Sequence, residues 1–230
     1  MSTRRERDSH GTVEVPADRY WGAQTARSLT HFPTGGDAWP SPLIHALGSV
    51  KRACARANAT VGVLPEKLAA LIVAASEEVA GGALDDHVVA PVWQSGSGTQ
   101  LNMNVNEVIA GRANELAGRG RGGREPVHPN DHVNRSQSSN DVIPTALHLA
   151  AIEQVEEVLL PALRGLEDAL DGRIAALGDI VKTGRTHLMD ALPVTVGQEL
   201  GAWRDLVAEG RARLVSASTA LEAVPLGGTA

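Results

Sequence analysis

Hydrophobic positions recur at helical spacing along most of this chain. Leu159, Leu163, Leu166, Leu170, Ile174 and Leu177 follow at steps of three or four and fall on one face of a long helix. Pro161 lies inside that run, lacks the N–H of a helix interior and predicts a kink. Leu200, Trp203, Val207, Leu214 and Leu221 repeat at three, four and seven, the narrow seam of a second long helix in a bundle. Two such helices cannot bury their faces alone, so both stripes demand further partners.

Before residue 138 the elements are shorter. Val13 to Pro16 predicts an extended segment and Tyr20 to Leu29 a brief helix, followed by a turn-rich passage with Pro33, Gly35, Gly36 and Pro40. Ser41 followed by Pro42 predicts an N-cap with Pro at the first helical position, opening a helix to about Asn58. A further helix runs from about Pro65 to Ala80 and stops at Gly81 and Gly82, and another from Asn102 to Leu116 ends before Gly118. The Gly- and Arg-rich stretch after Gly118 predicts a break in compactness. The fold class is mainly α: a small N-terminal domain over 1–138, then the first part of a long-helix bundle over 139–230. The chain stops at LGGTA with two bundle helices, and we expect a truncation there.

Three polar clusters interrupt the apolar pattern. The first, Gln94 to Gln100, brings Ser97, Gly98 and Thr99 to a helix start, where hydroxyls and free N–H groups suit a carboxylate or phosphate. No Lys follows its glycines and the third glycine of a dinucleotide loop is missing, so a nucleotide loop is a poor match. The second sets Ser138, Ser139 and Asn140 immediately before a long helix. The third, Gly184 to Asp190, holds Thr186 and His187 in a polar turn between the two long helices, and His187 suits general acid–base work near neutral pH. Taken singly, the first two are ordinary helix caps and the third a structural histidine. His128 and His132 stand four apart, but Pro129 interrupts a helix there and no Glu follows His128, so no metal site is expected.

Composition narrows the chemistry. With 43% hydrophobic and 21% charged residues, the 230-residue chain can bury a core, and its 3% aromatic content suits helix packed on helix. A formal charge of -6 with no long basic block argues against nucleic acid or a polybasic membrane contact. Cys54 is the single cysteine, which excludes an internal disulfide and a multi-cysteine metal or iron–sulfur site; on its apolar helix it is a small buried hydrophobe. The charged N-terminus is followed by no apolar signal region, and a cytoplasmic protein is expected.

Together, in order and spacing, SGSGTQLNMNVNEVIAGRANEL, VHPNDHVNRSQSSNDVIPTALHLAA and KTGRTHLMDALPVTVGQELGAW resemble the fumarase/aspartase superfamily. The match runs from VEVPADRYWGAQTARS to LGGTA and covers about half the family's usual length. Gly-Ser-Gly-Thr-Gln and Thr186-His187 resemble class II fumarases rather than aspartate ammonia-lyases, which usually carry Gly-Ala-Gly-Thr-Ser and Thr-Gln. The resemblance implies reversible anti addition of water to fumarate, giving L-malate, with no cofactor and no metal. It implies that Ser97, Gly98, Thr99, Ser138, Ser139, Asn140 and Thr186 bind the substrate carboxylates, and that His187 handles the water. His128, Pro129, Asn130 and Asp131 match an accessory carboxylate site. Two positions depart from the pattern: Met189 stands where many relatives have Gln, and Glu125 near where a basic residue borders the accessory site. The family's mobile Ser-Ser-x-Met-Pro-x-Lys-x-Asn-Pro loop and the acidic partner of its histidine are absent from this sequence, and its active sites are shared among subunits of a homotetramer. We therefore expect the isolated chain to be inactive or nearly so. The competing expectations are an ammonia-lyase of the same superfamily and a non-catalytic assembly subunit.

Overall fold

A computed structural model describes residues 2–228, which form two compact units parting between Ala150 and Ala151; residues 224–228 belong with the first. The mainly helical expectation is met in both.

The first unit opens with an antiparallel hairpin, β1 (Thr3–Asp8) and β2 (Gly11–Pro16), with Thr3 opposite Pro16 and Asp8 opposite Gly11. Sequence pattern reveals only β2, because β1 reads TRRERD and shows no apolar alternation. Its charges are used inward: Arg4 donates to the carbonyls of Pro16, Arg19 and Trp21, and Arg27 holds the buried Asp8 at 2.7 Å. That guanidinium keeps the Asp8 carboxyl below the usual range.

Helix α1 (Ala23–His31) begins later than Tyr20, since its first turn is organised by a distant carboxylate. Glu107, buried, accepts from the N–H groups of Gly22, Gln24 and Thr25 at 2.8–2.9 Å and from Thr25 Oγ1 at 2.7 Å. A negative charge against unsatisfied N–H groups at a helix start is favourable and meets its own hydrogen-bonding need.

Helices α2 (Ser41–Thr60) and α3 (Glu66–Ala80) pack closely. A Cβ on Gly48 would stand 2.5 Å from the Ala80 nitrogen and 2.9 Å from the Ser76 carbonyl, so only glycine fits at this crossing. The α2 N-cap is Pro40 rather than the expected Ser41, which lies inside the helix and makes no capping bond.

α4 (Thr99–Leu116) is the central strut, with Leu101, Val105, Val108, Ile109 and Ala113 in the core. The stretch after Gly118 is no break in compactness. Asn114, fully buried, donates to the carbonyls of Gly122, Gly123 and Val127 and accepts from Val127 N–H at 2.8 Å, sewing the loop to α4. A π-helical turn (Pro129–Val133) leads to α5 (Ser139–Glu153), whose Val142, Ile143, Ala146 and Ala150 join the same core.

The second unit takes in the last three residues of α5, then another π-helical turn (Gln154–Leu159) and α6 (Leu160–Leu177), with Pro161 in the first turn of α6. Helix α7 (Val196–Ser218) packs on α6 and starts at Thr195 with a reciprocal capping box to Gln198. Arg211 clamps Glu167 across the helix pair, at 2.7 Å through Nε. Between the helices lies what pattern reading took for a plain turn: an antiparallel hairpin, β3 (Val181–Thr186) and β4 (Met189–Thr195). Among the described residues of this unit, Leu160 is the one apolar side chain that is buried, at 8% exposure. Leu159, Leu163, Leu206, Val207, Leu214 and Ala217 line an open apolar groove of about 550 Å³.

Candidate functional site

Helix α4 takes its start from Gly98, whose φ of +68° lies in the left-handed region and whose Cβ position would meet Ile143 Cγ1 at 3.1 Å. Glycine is needed there on both counts. The α4 first turn is capped from outside by Gln94, whose Oε1 accepts from Leu101 N–H at 3.0 Å. Ser97 and Thr99 are thereby released from capping; their hydroxyls lie 2.9 Å apart and both residues are exposed.

Ser138, by contrast, is a helix cap as well as a candidate ligand. Its Oγ accepts from Asn140 N–H at 3.3 Å while Asp141 Oδ1 accepts from Ser138 N–H at 3.1 Å, a reciprocal arrangement at the start of α5. A serine oxygen that accepts this way keeps its O–H to donate. Ser139 is placed similarly: its Oγ accepts from Asn102 Nδ2 at 3.0 Å. That bond ties the start of α5 to the first turn of α4, so two hydroxyl-bearing helix starts are linked within one unit.

Polar side chains on α4 that sequence left as one cluster separate by role. Asn104 holds the 87–90 segment, accepting from Val89 and Ala90 N–H at 2.7 and 3.0 Å and donating to the His87 carbonyl at 3.1 Å. Glu107 caps α1. Asn102 and Asn106 both donate to Asn134 Oδ1 at 3.2 Å, and that oxygen also accepts from Lys51 Nζ at 2.9 Å. Lys51, Gln94 and Asn134 were not singled out from sequence. For Lys51 a signal existed: it occupies the buried seam Ile44, Leu47, Lys51, Cys54, Asn58, where an apolar residue is the rule. Burial pulls its pKa down to about 7, and Cys54 is a buried free thiol whose own pKa burial raises.

His128 is half-buried and its Nδ1 accepts from the N–H groups of Asn130 and Asp131 at 3.2 and 3.1 Å, so the ring caps the π-helical turn. An Nδ1 accepting two N–H bonds is unprotonated, and burial lowers the His128 pKa further; its 3.4 Å approach to Asp131 is therefore not an ion pair near neutral pH. His132 Nδ1 is likewise occupied by the His128 N–H at 2.9 Å. Pro129 is buried, whereas Asn130 and Asp131 are exposed.

Thr186 and His187 belong to the second unit, at the tip of the β3–β4 hairpin, and both are exposed. Thr186 pairs with Met189, leaving His187 and Leu188 as a two-residue turn with φ of +48° and +63°. Two successive left-handed residues match the twist of a hairpin, a conformation normally left to Asn and Gly. Leu188 is 97% exposed. No helix of the described residues is long and apolar enough to cross a membrane.

A family model described as a lyase matches residues 11–230. The chain is 55% identical over 228 residues to the class II fumarate hydratase 1 of Pseudomonas aeruginosa, covering 99% of this chain and 49% of that protein. It is 52% identical over 230 residues to the class II fumarate hydratase of Methylorubrum extorquens, again covering 49% of it. Among solved structures, the recombinant class II fumarase of Schistosoma mansoni superposes with a TM-score of 0.94 at 40% identity, over 100% of this chain and 48% of the other. The chain spans about half the length of the curated relatives it matches.

Proposed function

This chain belongs to the lyase family, and from that premise we propose that it supplies part of a fumarate hydratase, which adds water reversibly to fumarate to give L-malate. The observation that carries the reading is the link between the two hydroxyl-bearing helix starts through Asn102 and Ser139, at 3.0 Å. It ties Ser97 and Thr99, at the start of α4, to Ser138, Ser139 and Asn140, at the start of α5. Neutral donors at helix starts suit a dianionic substrate.

In the dehydration direction a base takes the proton from the carbon beside a carboxylate, and the electron pair left behind flows onto that carboxylate. Donors already aimed there lower the barrier, each by roughly 3 kcal/mol. Ser97, Gly98, Thr99, Ser138, Ser139, Asn140 and Thr186 take this part in the proposal, the glycine by letting the backbone come close. His187 handles the water as general acid and base, a role that contributes roughly 10² to 10⁴ in rate. His128, Pro129, Asn130 and Asp131 form an accessory carboxylate site, with His128 held neutral by its cap. The functional division falls at 138 and 139, between a lyase domain and a helix bundle. The apolar faces of α6 and α7 support assembly into a homotetramer, and the setting is cytoplasmic.

Turnover of L-malate and L-aspartate in parallel, by this chain combined with the C-terminal half of a complete relative, tests the assignment. We expect malate to be dehydrated and aspartate left intact. Release of ammonia from aspartate would move the chain to the ammonia-lyases.

A further inference from the structure

The turn that precedes α5 is held from beneath by α2, through two donors seven residues apart on one buried face. Lys51 Nζ donates to Asn134 Oδ1 at 2.9 Å and to Gln137 Oε1 at 3.0 Å, and Asn58 Nδ2 donates to the Arg135 carbonyl at 2.9 Å. The turn is further tied to itself, Asn134 Nδ2 reaching the Gln137 carbonyl at 3.2 Å and Gln137 Nε2 the Val133 carbonyl at 2.9 Å. Within it Ser136 has φ of +58°, a left-handed conformation that a serine keeps only where its surroundings impose it.

Lys51 is 0% exposed, and among the described residues its amine donates to the neutral amides of Asn134 and Gln137, a costly setting for a buried amine. An apolar residue at the same seam position would remove that cost. What it would also remove are the two bonds that immobilise Asn134 and Gln137. Asn134 is the shared acceptor of Asn102, and Asn102 in turn donates to Ser139. With Asn102 donating to one lone pair of Ser139 Oγ, the serine keeps its O–H to donate to a ligand.

We propose that Lys51 is a positioning residue for the carboxylate-binding segment Ser138–Asn140, fixing it through Asn134, Gln137 and Asn102 so that the Ser139 hydroxyl faces the substrate as a donor. The inference rests on the reading of that segment as a carboxylate site. Cys54 on α2 and Asp141 on α5 are the ionisable groups whose charges act on the amine, while α4 and the 134–137 turn meet the network with the amides of Asn102, Asn106, Asn134 and Gln137.

Amide resonances of the isotope-labelled chain provide the test, recorded for wild type, Lys51→Met and Gln137→Leu, each with and without fumarate. Gln137 is only half-buried, so Gln137→Leu removes one of the two Lys51 bonds to the turn, and the Gln137 amide's own bonds within it, without disturbing the core should Lys51→Met fail to fold. We expect both variants to shift the resonances of Ser136–Asn140 while those of α3 stay in place. We also expect those wild-type loop resonances to titrate together at about pH 7 and to lose that step in Lys51→Met. Fumarate should bind the variants roughly tenfold more weakly, about the worth of the one Ser139 hydrogen bond that is no longer aimed at it. Loop resonances identical to wild type in both variants would overturn the proposal. A wild-type chain that ignores fumarate while the variants still move the loop would fail the carboxylate reading instead, and leave Lys51 as the holder of this turn.

Discussion

The His187 backbone sits where few side chains settle. Left-handed φ at His187 and Leu188 costs on the order of 1–3 kcal/mol per residue, and a glycine pair would hold the same turn without it. Retaining histidine there is intelligible if the imidazole itself is used. Asn tolerates left-handed backbone, so His187→Asn isolates the ring: in an active assembly we expect turnover to fall by about 10² to 10⁴ with unchanged thermal stability. Turnover equal to wild type would remove His187 from the chemistry. Lys51 yields a second prediction at this scale. Its folded pKa of about 7 lies below the ordinary lysine value, so the unfolded chain binds more protons between the two. The burial cost is therefore full below pH 7 and is relieved as pH rises toward roughly 10. Chemical denaturation should show wild type gaining stability relative to Lys51→Met across that window, and parallel curves would contradict the assignment. The candidate residues on loops were legible because hydroxyls, amides and a histidine stand out in an apolar chain. Asn134 and Gln94 were not, since their roles depend on partners 32 and 7 residues away in sequence.

Helices were the most legible elements, because their apolar spacing needs no distant information. α2, α3, α4, α6 and α7 all appear where the periodicity puts them, with ends that coincide or are displaced by up to four residues. Both hairpins escaped. β1 is a charged strand whose Arg4 and Asp8 are satisfied by backbone and by Arg27, and the β3–β4 turn uses His-Leu where a hairpin turn is normally signalled by Asn-Gly. The start of α1 escaped because its cap, Glu107, arrives from α4. Gly48 offers a test of how tightly these elements are set. Gly48→Ala would be favourable by helix propensity, yet its methyl would collide with the Ala80 nitrogen at 2.5 Å. We expect a net loss of about 1–3 kcal/mol in urea denaturation. A stabilised variant would show that α2 and α3 can separate freely.

Across the whole chain the two units differ in kind. The first has a continuous core built from both hairpin and helices. The second leaves Leu166, Trp203 and Leu206 exposed along α6 and α7 and has almost no core of its own. Apolar faces of this extent favour association, which supports the assembly proposed above. The most direct measurement is fumarate–malate interconversion by the purified, folded chain, alone and mixed with a separately expressed C-terminal half of a complete relative. We expect no turnover alone and malate formation in the mixture. A folded chain that stays inactive in a mixture where the relative's own N-terminal half restores activity would contradict the account.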